Sequence, residues 1–563
     1  MPQSFPLTPA TNPTSRSARR LAFLLIPLAL QFAHADSATW NLNPTNGDWY
    51  TAANWTPNTV PNGPGDIATF DVSTITDISP VPGTGSIEVD SIVFNLGASA
   101  YTITVPWYLG EFNYFLYISG TGIVNNSGVS QNFVNLEDDG VIFENNATAG
   151  NLTVFSNPAS ANLDRSGGIT FFLDNSNAGN GMFINGGDEL AGGSTQFYDN
   201  SSAGNATIIN EAAGPGDSIG GATYFFENAT AGTATIINEG GAVADSGGGL
   251  THFDNDATTA DATVINNGGS VEGAQGGSSD FLGASPSNGT FIANGIFSGL
   301  GAGRIFFTDS AGGTPRIELF GTGALELGSR IQSNLTIGSI EGDGFVFLGP
   351  KALIVGSNNL NTLFSGVIGG NRGSLTKIGT STLELTGANT YTGGTTIEAG
   401  SLVINNTTGS GTGSGVVQVN AGRLGGRGSI TGPVTVGTGS GPGALLAPGR
   451  RGGKPDTLII QNALTFNSDA TYYCGLNSRS VRADEVVADG VTIKGAQFSL
   501  VGRGGLPLPE GTVLTVINNT SATPISGTFA NLPDASTFTI HGNTFQISYE
   551  GGDGNDLTLT VVP

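Results

Sequence analysis

Between residues 170 and 294 apolar and polar positions recur in blocks that open at Thr170, Thr195, Thr223, Thr251 and Ser279. Two positions into each block stands a phenylalanine: Phe172, Phe197, Phe225, Phe253 and Phe281. Thirteen positions in stands a bulky apolar residue, Phe183, Ile208, Ile236, Val264 or Ile292, and fifteen in an asparagine, Asn185, Asn210, Asn238, Asn266 or Asn294. The unit Thr223 to Asn238 reads TYFFENATAGTATIIN and is followed by a glycine-rich tail. Its short apolar runs are β-branched or aromatic and lack the 3.6-residue period of a helix, so they predict strands. A unit of 25 to 28 residues cannot bury its own apolar face, and neighbouring units must stack to share a core. The pattern therefore predicts an all-β parallel β-helix, a solenoid with coils about 4.8 Å apart. On the order of 20 coils are expected, a rod near 100 Å long at that spacing. The phenylalanines become an internal stack and the asparagines a side-chain amide ladder. Asn tolerates corner conformations and pairs with itself, so this column is read as structural rather than as a ligand ridge.

The two ends read differently. All four tryptophans lie between residues 40 and 107, which predicts a compact cap over the first edge of the solenoid. Residues 1–35 have the form of an export signal. Arg16, Arg19 and Arg20 precede the apolar run Leu21 to Phe32, and Ala33-His34-Ala35 places cleavage between Ala35 and Asp36. No later apolar run reaches the roughly 18 residues of a membrane helix, so no spanning segment is expected in the mature chain.

Composition sharpens this picture. Of 563 residues 89 are Gly and only 11% are charged, as expected where every coil needs corners and ladders of like ions would repel. The net charge is −25, and residues 36–303 hold 27 acids against one base, Arg165. Nucleic acid is excluded as a main partner and binding of anionic polysaccharide by this first half is disfavoured, since both require Lys and Arg. Cys474 is the lone cysteine, so no intrachain disulfide forms. Beside Tyr472 and Tyr473 it reads as a small buried residue, and with only His252 and His541 in the mature chain thiol catalysis has no base to draw on.

Acids also recur, at Asp174, Asp199 and Glu227 and again at Glu211 and Glu239. Stacked carboxylates must be hydrated, splayed or bridged by a cation, and calcium is the one cofactor the sequence leaves open. Gly551-Gly552-Asp553-Gly554-Asn555-Asp556 fits half of a calcium-binding nonapeptide, but as a single copy it reads as a hairpin turn. A β-helical polysaccharide lyase would need a Lys or Arg base, which the first half supplies only as Arg165. Hydrolysis would need clustered carboxylates, and Glu137, Asp138 and Asp139 are consecutive, so they cannot all face one substrate. No catalytic residue is assigned.

From residue 364 the pattern changes. The segment Gly373-Ser374-Leu375-Thr376-Lys377, Leu383 to Thr392 and Gly393-Gly394-Thr395-Thr396, continued by GSGVVQVNAGRLGGRGSITGPVTV at 413–436 and ALLAPG at 444–449, closely resembles the autotransporter-associated β-strand repeat. The start, with Trp40, Gly47-Asp48-Trp49 and Asn54-Trp55, and the end, with Gly527-Thr528-Phe529 and Thr544 to Tyr549, resemble the regions that flank this repeat in secreted bacterial proteins. The resemblance implies a passenger-type, right-handed parallel β-helix on or outside the cell, and carries over no catalytic residue. An evident translocator barrel is lacking, because the stretch after Pro448 is rich in Gly and turns rather than in alternating lipid-facing strands. The expected organisation is a signal (1–35), a Trp-rich N-terminal β cap region (36–140), acidic β-helix repeats of about 28 residues (141–363), the autotransporter-associated repeat (364–450) and a C-terminal β module (451–563). The expected function is non-enzymatic: surface display, adhesion or matrix formation by an exported protein that meets glycans or cell-envelope components. The alternatives are a polysaccharide-binding module or a polysaccharide-degrading enzyme. No oligomeric state is assigned.

Overall fold

A computed structural model describes residues 37–563 apart from 81–84, 107–113, 161–164, 188–190, 217–219, 311, 329–333, 450–454, 504–506 and 541. The export signal with its Ala35–Asp36 cleavage pair, Trp107 and His541 lie outside the described residues. The chain winds as a parallel β-solenoid of about 17 turns. This is fewer than chain length and repeat length suggested, because the parallel coil path runs only through Val513–Asn519 and the strands after it form antiparallel hairpins.

Up to residue 369 the coils have three faces, and from Ser429–Ile430 a further sheet, parallel from coil to coil, joins the second and third. The first runs in parallel register from Gly63–Phe70 to Val367–Gly369, and the second from Asp77–Ile78 to Gln497–Arg503. The third begins as single bridges joining Thr148, Asn177, Ser202, Thr230, Thr258 and Ser285, and matures into strands from Asn334–Ile337 to Val491–Ile493. The cross-section thus changes between residues 334 and 369, where the first face ends and the third becomes a sheet. No helix among the described residues is long and apolar enough to cross a membrane.

Strand alternation explains why these residues make these faces. Each short strand of the repeats, such as Ser194–Phe197 or Thr207–Asn210, turns every second side chain into a single continuous core that runs from Ala38 to Val561. The phenylalanines of the first face stack coil on coil with centroids 4.7 to 4.9 Å apart, and Phe143 and Phe307 extend the column at either end. Phe183 of the second face meets Phe172 edge-on at 5.6 Å, the geometry the ring quadrupole favours. The glycine-rich tails serve close approach as much as corner conformation. A Cβ on Gly193 or Gly221 would lie 1.7 or 1.9 Å from the carbonyl oxygen of Asn157 or Asn185.

Both ends are closed. Trp40, Trp49 and Trp55 pack around Phe70, their indole N–H groups donating to the carbonyls of Ile75, Pro61 and Trp49. The two-residue strand Trp55–Thr56 pairs antiparallel with Ala38–Trp40, so a short strand covers the first edge. At the other end Val513–Asn519 is parallel to Glu485–Ala488 but antiparallel to Asp556–Val562, which turns back on Asn543–Gly551. Cys474 is buried in this region, with its Sγ 3.2 Å from the carbonyl oxygen of Asp484, and burial pushes its thiol well above the ordinary range.

Candidate binding face

The asparagine column is buried and hydrogen-bonded from coil to coil. Asn185 donates to Asn210, Asn210 to Asn238 and Asn238 to Asn266, each Nδ2 to Oδ1 at 2.7 Å, and Asn135 and Asn157 extend the ladder upstream. The hydroxyl that opens each block belongs to the same ladder. Thr195, Thr223 and Thr251 donate to Asn185, Asn210 and Asn238, and Ser279 accepts from Asn266. Asn294 does not continue it. The register sets Ala293 opposite Asn266 and Phe291 opposite Val264, while Asn294 donates to Asn267 outside the core. Phe253 and Phe281 are 28 residues apart but Thr263 and Thr290 only 27. The corner between is one residue short, and a one-residue slip moves a strand side chain to the other surface. Ile292 is displaced in the same way and sits half-buried outside the core.

Three of the recurrent acids have a backbone role that the sequence did not reveal, whereas Glu239 accepts from the Asn267 side chain. Asp174, Asp199 and Glu227 have φ near +57° and sit at left-handed corners. Their carboxylates accept the backbone N–H of Asn145, Asp174 and Asp199, one coil earlier, at 2.9 to 3.0 Å. The consecutive acids diverge: Glu137 and Asp138 face Arg165, and buried Asp139 accepts the N–H of Tyr114. Gly551 to Asp556 closes the hairpin between the last two strands, with the Asp556 carboxylate accepting from the N–H of Asn519. Among the described residues, no group of three or more His, Cys, Asp or Glu side chains is placed to hold a metal ion.

The outer surface of the first face is where side chains remain available. Strands such as Ile169–Phe172 and Ala222–Phe225 carry aromatic residues at outward as well as inward positions. Phe115, Tyr117, Phe171, Tyr198, Phe226, Tyr224 and His252 form one chain of neighbouring rings, 4.9 to 6.4 Å between centroids. They span six successive strands, about 24 Å along the axis. Tyr198 and Phe226 stack face to face. Burial, then the Glu227 carboxylate, pushes the Tyr198 hydroxyl up to about 12. His252 Nδ1 lies 3.3 Å from Asp280.

Further along the same face is a shallow hollow of about 300 Å³ with Ala324, Phe345 and Phe347 among its apolar lining and Ser298, Arg304 and Glu326 among its polar lining. Arg304 forms an ion pair with Glu326 and lies 4.7 Å from the centroid of Phe306. Phe347 is opposed by Glu326 in the preceding coil and by Gly369 in the next. With no side chain on Gly369, its ring is 51% exposed.

Beyond the hollow, the motif Gly373 to Lys377 places an ammonium group inside the solenoid. Lys377 is in register with Val355 and Ile397, is 1% exposed, and donates to the carbonyls of Ile378 and Gly379. Burial lowers it to about 8. Its segment, residues 375–404, carries a family match. These residues match the passenger-associated-transport-repeat family. Over 117 residues the chain is 41% identical to the adhesin BmaC autotransporter of Brucella suis biovar 1 (strain 1330), a stretch that is 19% of this chain and 3% of that protein. The chain thus spans only a small part of the curated relative it matches. The crystal structure of the Haemophilus influenzae Hap adhesin aligns with 88% of this chain and 59% of its own, at 10% identity and a TM-score of 0.29.

Proposed function

We propose that the protein is an exported, rod-like β-helical passenger that acts at or outside the cell surface in attachment, without enzymatic activity of its own. The observation that carries this reading is a passenger-associated transport repeat lying in register within one continuous β-helix. Sequence identity with an autotransporter adhesin supports it. So does the use of side chains: inward columns build the core, and Asp174, Asp199 and Glu227 cap backbone amides. Its partners are glycans or envelope components met by the outer surface of the coil. Deleting the coding sequence is expected to reduce attachment of the producing cells to glycan-coated and cell-covered surfaces, with recovery on complementation. Unchanged attachment on every surface would count against the proposal.

A further inference from the structure

We infer that the hollow over Phe345 and Phe347 is a binding site for a neutral pyranose unit of a glycan, an assignment that deepens the attachment reading above. In the outward ring chain, aromatic faces are spent on one another, as in Tyr198 against Phe226. At Phe347 the register supplies Gly369 instead of a ring, and the aromatic face is left open to solvent. Phe345 lies beside it with its plane within 11° and its centroid 6.2 Å away, so the two rings form a tandem apolar floor. A pyranose presents just such a pair of surfaces, an apolar C–H face for stacking and a rim of hydroxyls. Glu326 supplies acceptors beside that floor, and the Arg304 guanidinium and the Ser298 hydroxyl supply donors. The pocket volume reaches the lower end of the range typical of small-ligand sites.

Charge selects the class of sugar. The lining carries one cation and one anion, paired with each other, on a chain of net charge −25. An anionic polymer gains nothing locally and is repelled by the whole, whereas a neutral sugar stacks on the floor at no electrostatic cost.

The test uses the full mature chain with cello-, xylo-, malto- and chito-oligosaccharides as probes, read by titration calorimetry and by saturation-transfer NMR. At least one probe is expected to bind. Phe347→Ala is expected to weaken it by about tenfold or more through loss of the stacking face, while Phe347→Trp retains binding. Glu326→Gln is expected to weaken binding, and Phe226→Leu, remote on the same face, to leave it unchanged. Circular dichroism of each variant separates lost binding from lost fold, and the Trp variant keeps the test informative if the Ala variant unfolds. A chain that binds none of the four probes, or a folded Phe347→Ala chain that binds as well as the parent, overturns the assignment. Either result leaves the attachment phenotype of the producing cells as a separate readout, so the two readings fail independently.

Discussion

Replacing Asn210 by Ala tests how much the amide ladder holds the coils together. The Asn210 side chain takes part in five hydrogen bonds: it donates to Asn238, Leu250 and Thr251 and accepts from Asn185 and Thr223. Some partners keep a second bond, since Asn185 still reaches the carbonyl of Ala222 and Asn238 still accepts from Thr251. The Leu250 carbonyl and the Thr223 hydroxyl lose the partner that Asn210 supplied. With about 1 kcal/mol per lost hydrogen bond, and more for groups left buried and unpaired, the cost should be about 3 to 5 kcal/mol. Asn294→Ala removes only a half-buried bond to Asn267 and should cost less than about 0.5 kcal/mol. Because a solenoid can open locally, the assay is hydrogen exchange over Thr207–Asn210 and Thr235–Asn238 together with denaturant unfolding. Equal effects of the two substitutions, or unchanged protection around Asn210, would refute the ladder as a source of stability.

Other consequences follow from the same structure. Phe225→Ala leaves a hole between Phe197 and Phe253 and should cost about 3 to 5 kcal/mol in unfolding free energy. Trp49→Ala should lower the melting temperature and raise aggregation, measured by light scattering, because the ring is fully buried in the cap over the first edge. Burial raises Asp484 to about 6. The folded state then holds the proton that the unfolded state releases between about pH 4 and 6, and stability should fall as pH rises through that window. Asp484→Asn should flatten this fall in a pH series of melting curves. For Lys377, lowered to about 8 by burial, the unfolded chain binds the extra proton. Its contribution to stability should therefore rise between about pH 8 and 10.5, and Lys377→Met should remove that rise.

Much of the solenoid was legible because stacking repeats the same demand at every coil. The phenylalanine positions and the asparagines from Asn185 to Asn266 are in-register columns, and a fixed offset finds them as long as corner length is constant. One residue missing before Thr290 breaks that condition, so the fixed offset points to Asn294 and Ile292 where Ala293 and Phe291 occupy the columns. Aligning Thr290-Phe291-Ile292-Ala293 on the preceding Thr-Val-Ile-Asn would have found the slip. The role of Asp174, Asp199 and Glu227 was hidden because a carboxylate and the backbone N–H it caps lie a full coil apart. The hollow was hidden for a similar reason. The exposure of Phe347 depends on a glycine 22 positions later, and only the register brings the two together.

The central claim, an exported β-helical protein at or beyond the cell surface, is tested most directly by protease shaving of intact producing cells with fractionation and peptide mass spectrometry. Peptides from the coil, residues 141–449, should be released from intact cells or recovered from the medium, with the chain beginning at Asp36. Recovery of the protein only from the cytoplasm, protected until lysis and still carrying residues 1–35, would contradict it.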